Sequence, residues 1–234
     1  RGGRAAEAWL GLVVAQAVQP GLPFIMGGVL SMMDMRTMAL AYGAPELSLM
    51  MAGITELGHY AGLPVWQTGG CTDSKCFDEQ AVIEGSLSVF FAALTAGDLT
   101  HDVGYTEGGK TGSVFQLAAM DEAIGYSRRI ARGIAVDDET LATDVIHAVG
   151  PNGHYLRQAH TRRHHRSEFW LPALCDRRNY EEWDAGGQTT MRERTVARVY
   201  ELLSSHEPSP IRPETEETLR AVLGQAEAWA AQAA

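Results

Sequence analysis

Cys71, Asp73, Lys75, Cys76 and Asp78 lie in one short stretch, Gly69-Gly70-Cys71-Thr72-Asp73-Ser74-Lys75-Cys76-Phe77-Asp78. A short apolar run, Leu63-Pro64-Val65-Trp66, precedes it, and a long amphipathic segment follows. In an α/β protein such a strand-to-helix turn is where sites are built, because the strand end and the helix N-terminus both point there. Thiolates of Cys71 and Cys76 with His101 could hold zinc. The Cys-x4-Cys spacing is loose for that, and no second pair accompanies it. A cysteine nucleophile with His101 as its base is a second chemistry. The plainer reading is that Asp73 and Asp78 cap the next helix, with Lys75 solvated or paired to one of them.

Two further clusters have the same potential. His101-Asp102 is followed by Tyr105, Glu107 and Lys110. A histidine with an adjacent acid can act as an oriented general base. Neighbours within a strand point to opposite faces, so one of this pair is expected to be structural. Met32, Met33, Asp34 and Arg36 form the other cluster, and the methionines at 26–38 read as core rather than as a cofactor contact. Further on, His160-Thr161-Arg162-Arg163-His164-His165-Arg166 is basic. It is open to a metal, an anion, or a solvated or interfacial helix face. Phe169, Trp170, Tyr180 and Trp183 read as the packing of a C-terminal cap.

The elements that must position these groups follow from pattern. Short apolar runs at about 22–27, 64–68 and 98–103 lack alternation, as expected of parallel strands buried on both faces. A helical segment follows each, at the spacing of successive βα units. Helices are predicted over Arg4–Val18 and from Ala44-Pro45-Glu46 to about Tyr60. Another runs from the N-cap Asp78 to about Ala96. Ser113 with Gln116 makes a capping-box pattern for a helix to about Arg132, and Asp137-Asp138-Glu139 opens one that Gly150-Pro151 closes. Beyond residue 150 helical signal dominates, at about 192–204 and 214–232, separated by a proline-rich linker, His206–Pro213. The division is thus 1–150, the C-terminal βα units of a barrel, and 151–234, a helical cap. A full eight-unit barrel typically needs about 250 residues. The chain begins without Met and enters a helical period at once, so it reads as a piece that starts inside a domain.

Composition narrows the partners. The 234 residues are 45% hydrophobic and 21% charged, enough for one sizeable core. A net charge of -10 argues against nucleic acid, which wants a basic face. Three cysteines without a secretory pattern read as cytoplasmic thiols, and no apolar run is long enough to span a membrane.

Taken in order, these motifs resemble the trimethylamine:corrinoid methyltransferase family. The matching text is Tyr42-Gly43-Ala44-Pro45-Glu46, Gly69 through Lys75 with Asp78-Glu79-Gln80-Ala81, His101 through Glu107, and Ser113-Val114-Phe115-Gln116. It continues with His160-Thr161 and with Arg177 through Trp183. The resemblance implies a (β/α)8 TIM barrel of which this chain holds the C-terminal portion. It implies methyl transfer from a small methylated amine to the Co(I) of a corrinoid (cobalamin) carried by a separate docking protein. Family members acting on trimethylamine carry pyrrolysine, which would fall in the loop after Glu107, near Lys110. This sequence shows none, so it is similar to members acting on quaternary amines, with glycine betaine as first choice.

A quaternary nitrogen leaves as a neutral amine, so binding and orientation matter more than acid catalysis. On that reading His101, Glu107 and Lys110 are the catalytic candidates. Asp73, Lys75, Asp102, Tyr105 and Phe115 are the substrate-binding ones, since a quaternary ammonium favours aromatic faces and carboxylates, and a betaine carboxylate favours a cation or imidazole. No tightly bound metal is expected. A half-barrel would expose two sheet edges and an apolar face, so a homo-oligomer or a missing half is expected to cover them. Two alternatives stay open: a zinc-thiolate methyltransferase using Cys71 and Cys76, and a noncatalytic piece that acts only by assembly with a partner.

Overall fold

The computed structural model describes residues 2–233. The chain forms two compact units, residues 1–199 and 200–234. The first opens with helix α1 (Gly2–Val18) and strand β1 (Met26–Gly27). A hairpin follows, β2 (Met32–Asp34) and β3 (Ala39–Ala41), then α2 (Pro45–Tyr60), β4 (Val65–Thr68), α3 (Glu79–Leu94) and β5 (Leu99–His101). A second hairpin, β6 (Tyr105–Thr106) and β7 (Thr111–Gly112), precedes α4 (Val114–Ala131). Short helices α5 (Asp138–Leu141), α6 (Thr143–Val149), α7 (Ala159–Glu168) and α8 (Tyr180–Ala185) lead to α9 (Met191–Ser205). The second unit holds the end of α9, a coil at 206–212 where the linker was expected, and α10 (Pro213–Ala233).

The three predicted strands form one parallel sheet, ordered β1-β4-β5. The register sets Met26 beside Val65, Trp66 beside Leu99 and Thr68 beside His101. Side chains alternate along β4, so Val65 and Gln67 face the helices while Trp66 and Thr68 face away. On the helix side, Leu47, Met51 and Ile54 recur at helical spacing on α2 and close over Met26 and Val65. Fully burying each of these side chains contributes roughly 1.5–3 kcal/mol. Gln67, also buried there, is tied down: its Nε2 donates to the Ala92 carbonyl at 3.0 Å, and its Oε1 accepts from Thr55 and Thr95 hydroxyls at 3.4 Å each. A second core of Val89, Ala119 and Met120 joins α3 to α4. On the other side, Trp66 is 38% and Leu99 50% exposed. Among the described residues neither β1 nor β5 has a second neighbour, so the open edges and apolar face foreseen from the sequence are present. The layout is mixed α/β with a parallel sheet.

Several local expectations change. The methionine-rich stretch is the β2–β3 hairpin, and Met32, Met33, Met35 and Met38 are exposed rather than core; only Met26 is buried. Its Asp34 and Arg36 pair at 2.8 Å, which holds the Asp34 carboxyl at about 2. The strand expected over 98–103 stops at His101, because Asp102 takes a left-handed φ of 68°. The Ser113–Gln116 box is half-made. Ser113 accepts from the Gln116 amide at 3.2 Å, but the Gln116 side chain crosses to the Ala81 carbonyl at 2.8 Å instead of returning to its cap. The helix opened by Asp137 breaks at Ala142, φ 50°, into α5 and α6. Asp78 caps α3 as expected, accepting from the Ala81 amide at 2.9 Å.

Candidate active site

The site is built where the two loops after β4 and β5 run side by side. The Gly69 amide donates to His101 O at 3.1 Å, Gly104 to Gly70 O at 3.1 Å, Thr72 to Tyr105 O at 3.1 Å and Gly108 to Thr72 O at 3.0 Å. The Glu107 amide reaches Ser74 O at 2.7 Å. Parallel strands end with unpaired backbone groups, and here each loop satisfies the other's. The zipper needs glycine at two places: Gly70 and Gly104 sit at φ 81° and 89°, and a Cβ on Gly104 would stand 2.9 Å from the Leu117 Cβ. The loop of the two cysteines and the loop of His101 therefore form one rim.

Carboxylates anchor that rim. Asp73 accepts from the Tyr42 amide at 2.8 Å through Oδ1 and from the Gly43 amide at 2.9 Å through Oδ2, which ties the β2–β3 hairpin to the β4 loop. Glu84, one turn into α3, accepts from the Thr72 hydroxyl at 2.6 Å and the Asp73 amide at 2.9 Å through Oε2, and from Gln80 at 2.8 Å through Oε1. The Tyr42 phenol holds its proton more tightly than usual, through burial first and the nearby Asp102 charge second. Burial first, and Asp102 second, push the Cys71 thiol up to about 12. Cys71 is fully buried and donates weakly to Tyr42 O at 3.8 Å.

His101 is held on every side. Its Nδ1 lies 2.7 Å from Asp102 Oδ1, its Nε2 3.0 Å from the Thr68 hydroxyl, and its ring stacks on Trp66 at 3.9 Å. Facing a carboxylate, Nδ1 donates to Asp102, and Nε2 shares a hydrogen bond with the Thr68 hydroxyl. The opposite-face expectation for His101 and Asp102 fails because Asp102 has left the strand: its left-handed backbone turns the carboxylate back onto the ring.

Comparison with known proteins adds to this geometry. The family description "Trimethylamine methyltransferase (MTTB)" matches residues 3–229. The chain belongs to the trimethylamine methyltransferase family. It is 34% identical over 221 residues to the glycine betaine methyltransferase of Desulfitobacterium hafniense strain Y51, covering 94% of this chain and 46% of that protein. It is 34% identical over 216 residues to a trimethylamine methyltransferase MttB of the same species, covering 92% and 43%, and 29% identical over 224 residues to MttB1 of Methanosarcina mazei, covering 95% and 45%. The chain thus spans under half the length of these curated relatives.

Within this family member the predicted residues separate into three groups. His101, Asp102, Asp73, Tyr105 and Glu107 come together in the zipped rim. Asp73 and Asp102 are anchors of backbone and ring rather than open contacts. Glu107, at φ 54°, accepts from the Thr111 hydroxyl at 3.1 Å and holds the β6–β7 turn. Lys75 and Lys110 are exposed on the rim, Lys75 donating to the Asp73 carbonyl at 2.8 Å. Phe115 is elsewhere: its ring stacks with Phe77 at 6.4 Å, beside the α3–α4 core.

Cys71 and Cys76 do not make a zinc pair with His101. Cys71 is buried with a raised thiol, Cys76 is exposed and donates to Asp78 at 3.7 Å, and both ring nitrogens of His101 are engaged. Reasoning from sequence missed Tyr42, Glu84, Thr68 and Trp66. Tyr42 stood inside a quoted motif. Glu84 had no local signal, because its partners are Thr72 and the Asp73 amide on the preceding loop.

Proposed function

We propose that this chain supplies the C-terminal strand-end loops of a TIM-barrel enzyme that moves a methyl group from a small quaternary amine, with glycine betaine as first choice, to the Co(I) of a corrinoid held by a separate protein. The observation that carries the reading is the rim itself. Asp73 and Glu84 are tied to Tyr42 and Thr72 and Asp102 to His101, beside the exposed rings of Tyr105 and Trp66. Fixed carboxylates and aromatic faces attract a cation that offers no hydrogen-bond donors. A betaine carboxylate would meet Lys75 or Lys110 on the same rim.

His101 bears on the substrate class. With Asp102 and Thr68 at its two nitrogens, it is poorly placed to protonate a leaving amine. A quaternary amine needs no such proton, because it departs neutral. Both nitrogens of His101 are already engaged, which suits a corrinoid presented and ligated by another chain. That corrinoid, once docked, supplies the metal that accepts the methyl group. The residues here bind and orient the amine, and the exposed methionine hairpin joined to the rim through Tyr42 and Asp73 offers an adaptable apolar contact for the docking protein. The names of the relatives, glycine betaine and trimethylamine methyltransferases, support the same substrate class.

The test is methylation of Co(I) cobalamin by the full-length protein containing this chain, followed by visible absorption. Glycine betaine should give methylcobalamin and free trimethylamine should not. Turnover with trimethylamine alone, or with no quaternary amine, overturns the reading.

A further inference from the structure

We propose that Glu139, His160 and His164 form a binding site for one divalent transition metal of the zinc class. His160 and His164 stand one turn apart on α7, so their rings share a face, with centroids 4.4 Å apart. Glu139 of α5 reaches them from 21 and 25 positions away: its Oε1 lies 2.8 Å from His164 Nε2 and 3.9 Å from His160 Nε2. One candidate ligand atom from each residue lies within 4.8 Å of the others. A tetrahedral ion with bonds of about 2.0–2.1 Å wants donors about 3.4 Å apart, so closure needs side-chain shifts on the order of an ångström.

The chemistry of the donors fits. Two imidazoles and a carboxylate are zinc ligands, and the half-exposed carboxylate leaves room for a water in the fourth position. At present its charge is shared. Arg163 Nη2 lies 2.8 Å from the same Oε1, and His160 Nε2 donates to the Glu139 carbonyl at 2.7 Å. Arg163 is 59% exposed and can turn into solvent, so a metal would replace a surface ion pair of small worth. The bound ion would clamp α5 to α7 across the irregular stretch at 150–158. This inference is independent of the methyl-transfer reading and concerns the basic segment that reading leaves unused.

The experiment is calorimetric titration of the 234-residue chain with zinc chloride at neutral pH, and cobalt(II) substitution read by visible absorption. One equivalent should bind with release of protons. The cobalt spectrum should show nitrogen and oxygen ligation without a sulfur charge-transfer band. His164→Gln and Glu139→Gln should each weaken binding by at least about tenfold while the far-ultraviolet dichroism is unchanged. Arg163→Ala should tighten binding by removing the competitor. Absence of stoichiometric binding, a thiolate band, or weaker binding in Arg163→Ala would overturn the site and leave an ion-paired tie.

Discussion

The imidazole of His101 and the carboxylate of Asp102 are neighbours in sequence, yet they face each other at 2.7 Å. The left-handed backbone of Asp102 makes this possible, and asparagine is the natural substitute that tolerates it. Asp102→Ala removes the acceptor for the His101 ring, and places a Cβ residue without local hydrogen bonding at φ 68°. Each unpartnered buried donor costs about 1–3 kcal/mol. The variant should lose about 2–4 kcal/mol in urea denaturation. Asp102→Asn keeps one acceptor and the backbone shape, so it should lose less than half of that. Equal losses for the two variants would show that the Asp102 charge, which both remove, matters rather than its acceptor or its backbone shape.

Asp73 gives a second prediction. Its two oxygens take the amides of Tyr42 and Gly43, and a hydrogen bond to a charged group contributes about 1.5–3 kcal/mol. Asp73→Ala should destabilise the protein by about 3 kcal/mol and loosen the rim, and under the proposed methyl transfer it should raise KM for the amine more than it lowers kcat. Hydrogen exchange at the Tyr42 and Gly43 amides checks the assignment. If those amides stay as protected as before, the tie is not what holds the hairpin.

What sequence could reveal divides along the range of the interactions. The three strands, the Asp78 cap and the helices flanking them come from local signals, which act within a few residues. Asp73 was visible as a residue but not as an anchor, because its partners lie 31 and 30 positions away. Phe115 was read as a substrate-binding aromatic, yet its ring stacks with Phe77, a partner 38 positions away. Glu139 was read only as a helix opener, since nothing local links it to a histidine on α7.

Acid should weaken the fold through three carboxyls. Asp34, Glu139 and Asp176 are held at about 2, against usual values of 3.8, 4.5 and 3.8, chiefly by hydrogen bonds from Arg36, Arg163 and Arg178. A folded-state value below the unfolded one means the stabilisation is present above about pH 4.5 and is lost as pH falls toward 2. The arginine of each pair is exposed, so salt should screen them. Unfolding midpoints measured from pH 5 downward should fall less steeply in molar salt, and less steeply in Glu139→Gln at low salt. An unchanged slope in both would assign acid sensitivity to other groups.

The cysteines can be ranked by their surroundings. Cys71 is fully buried, and burial with Asp102 nearby pushes its thiol up to about 12. Only the thiolate reacts quickly, so Cys71 is doubly protected at mildly alkaline pH. Cys175 is exposed, but burial of its sulfur and the neighbouring Glu122 raise its thiol as well. Cys76 is exposed. Iodoacetamide should therefore label Cys76 first, Cys175 more slowly, and Cys71 only when urea opens the loop, as read by peptide mass mapping. Native labelling of Cys71 at the rate of Cys76 would mean that the rim opens readily and would reopen a thiolate role for the β4 loop. Protection of Cys71 leaves that loop the task its hydrogen bonds describe, holding Asp73 and the Tyr105 backbone in register.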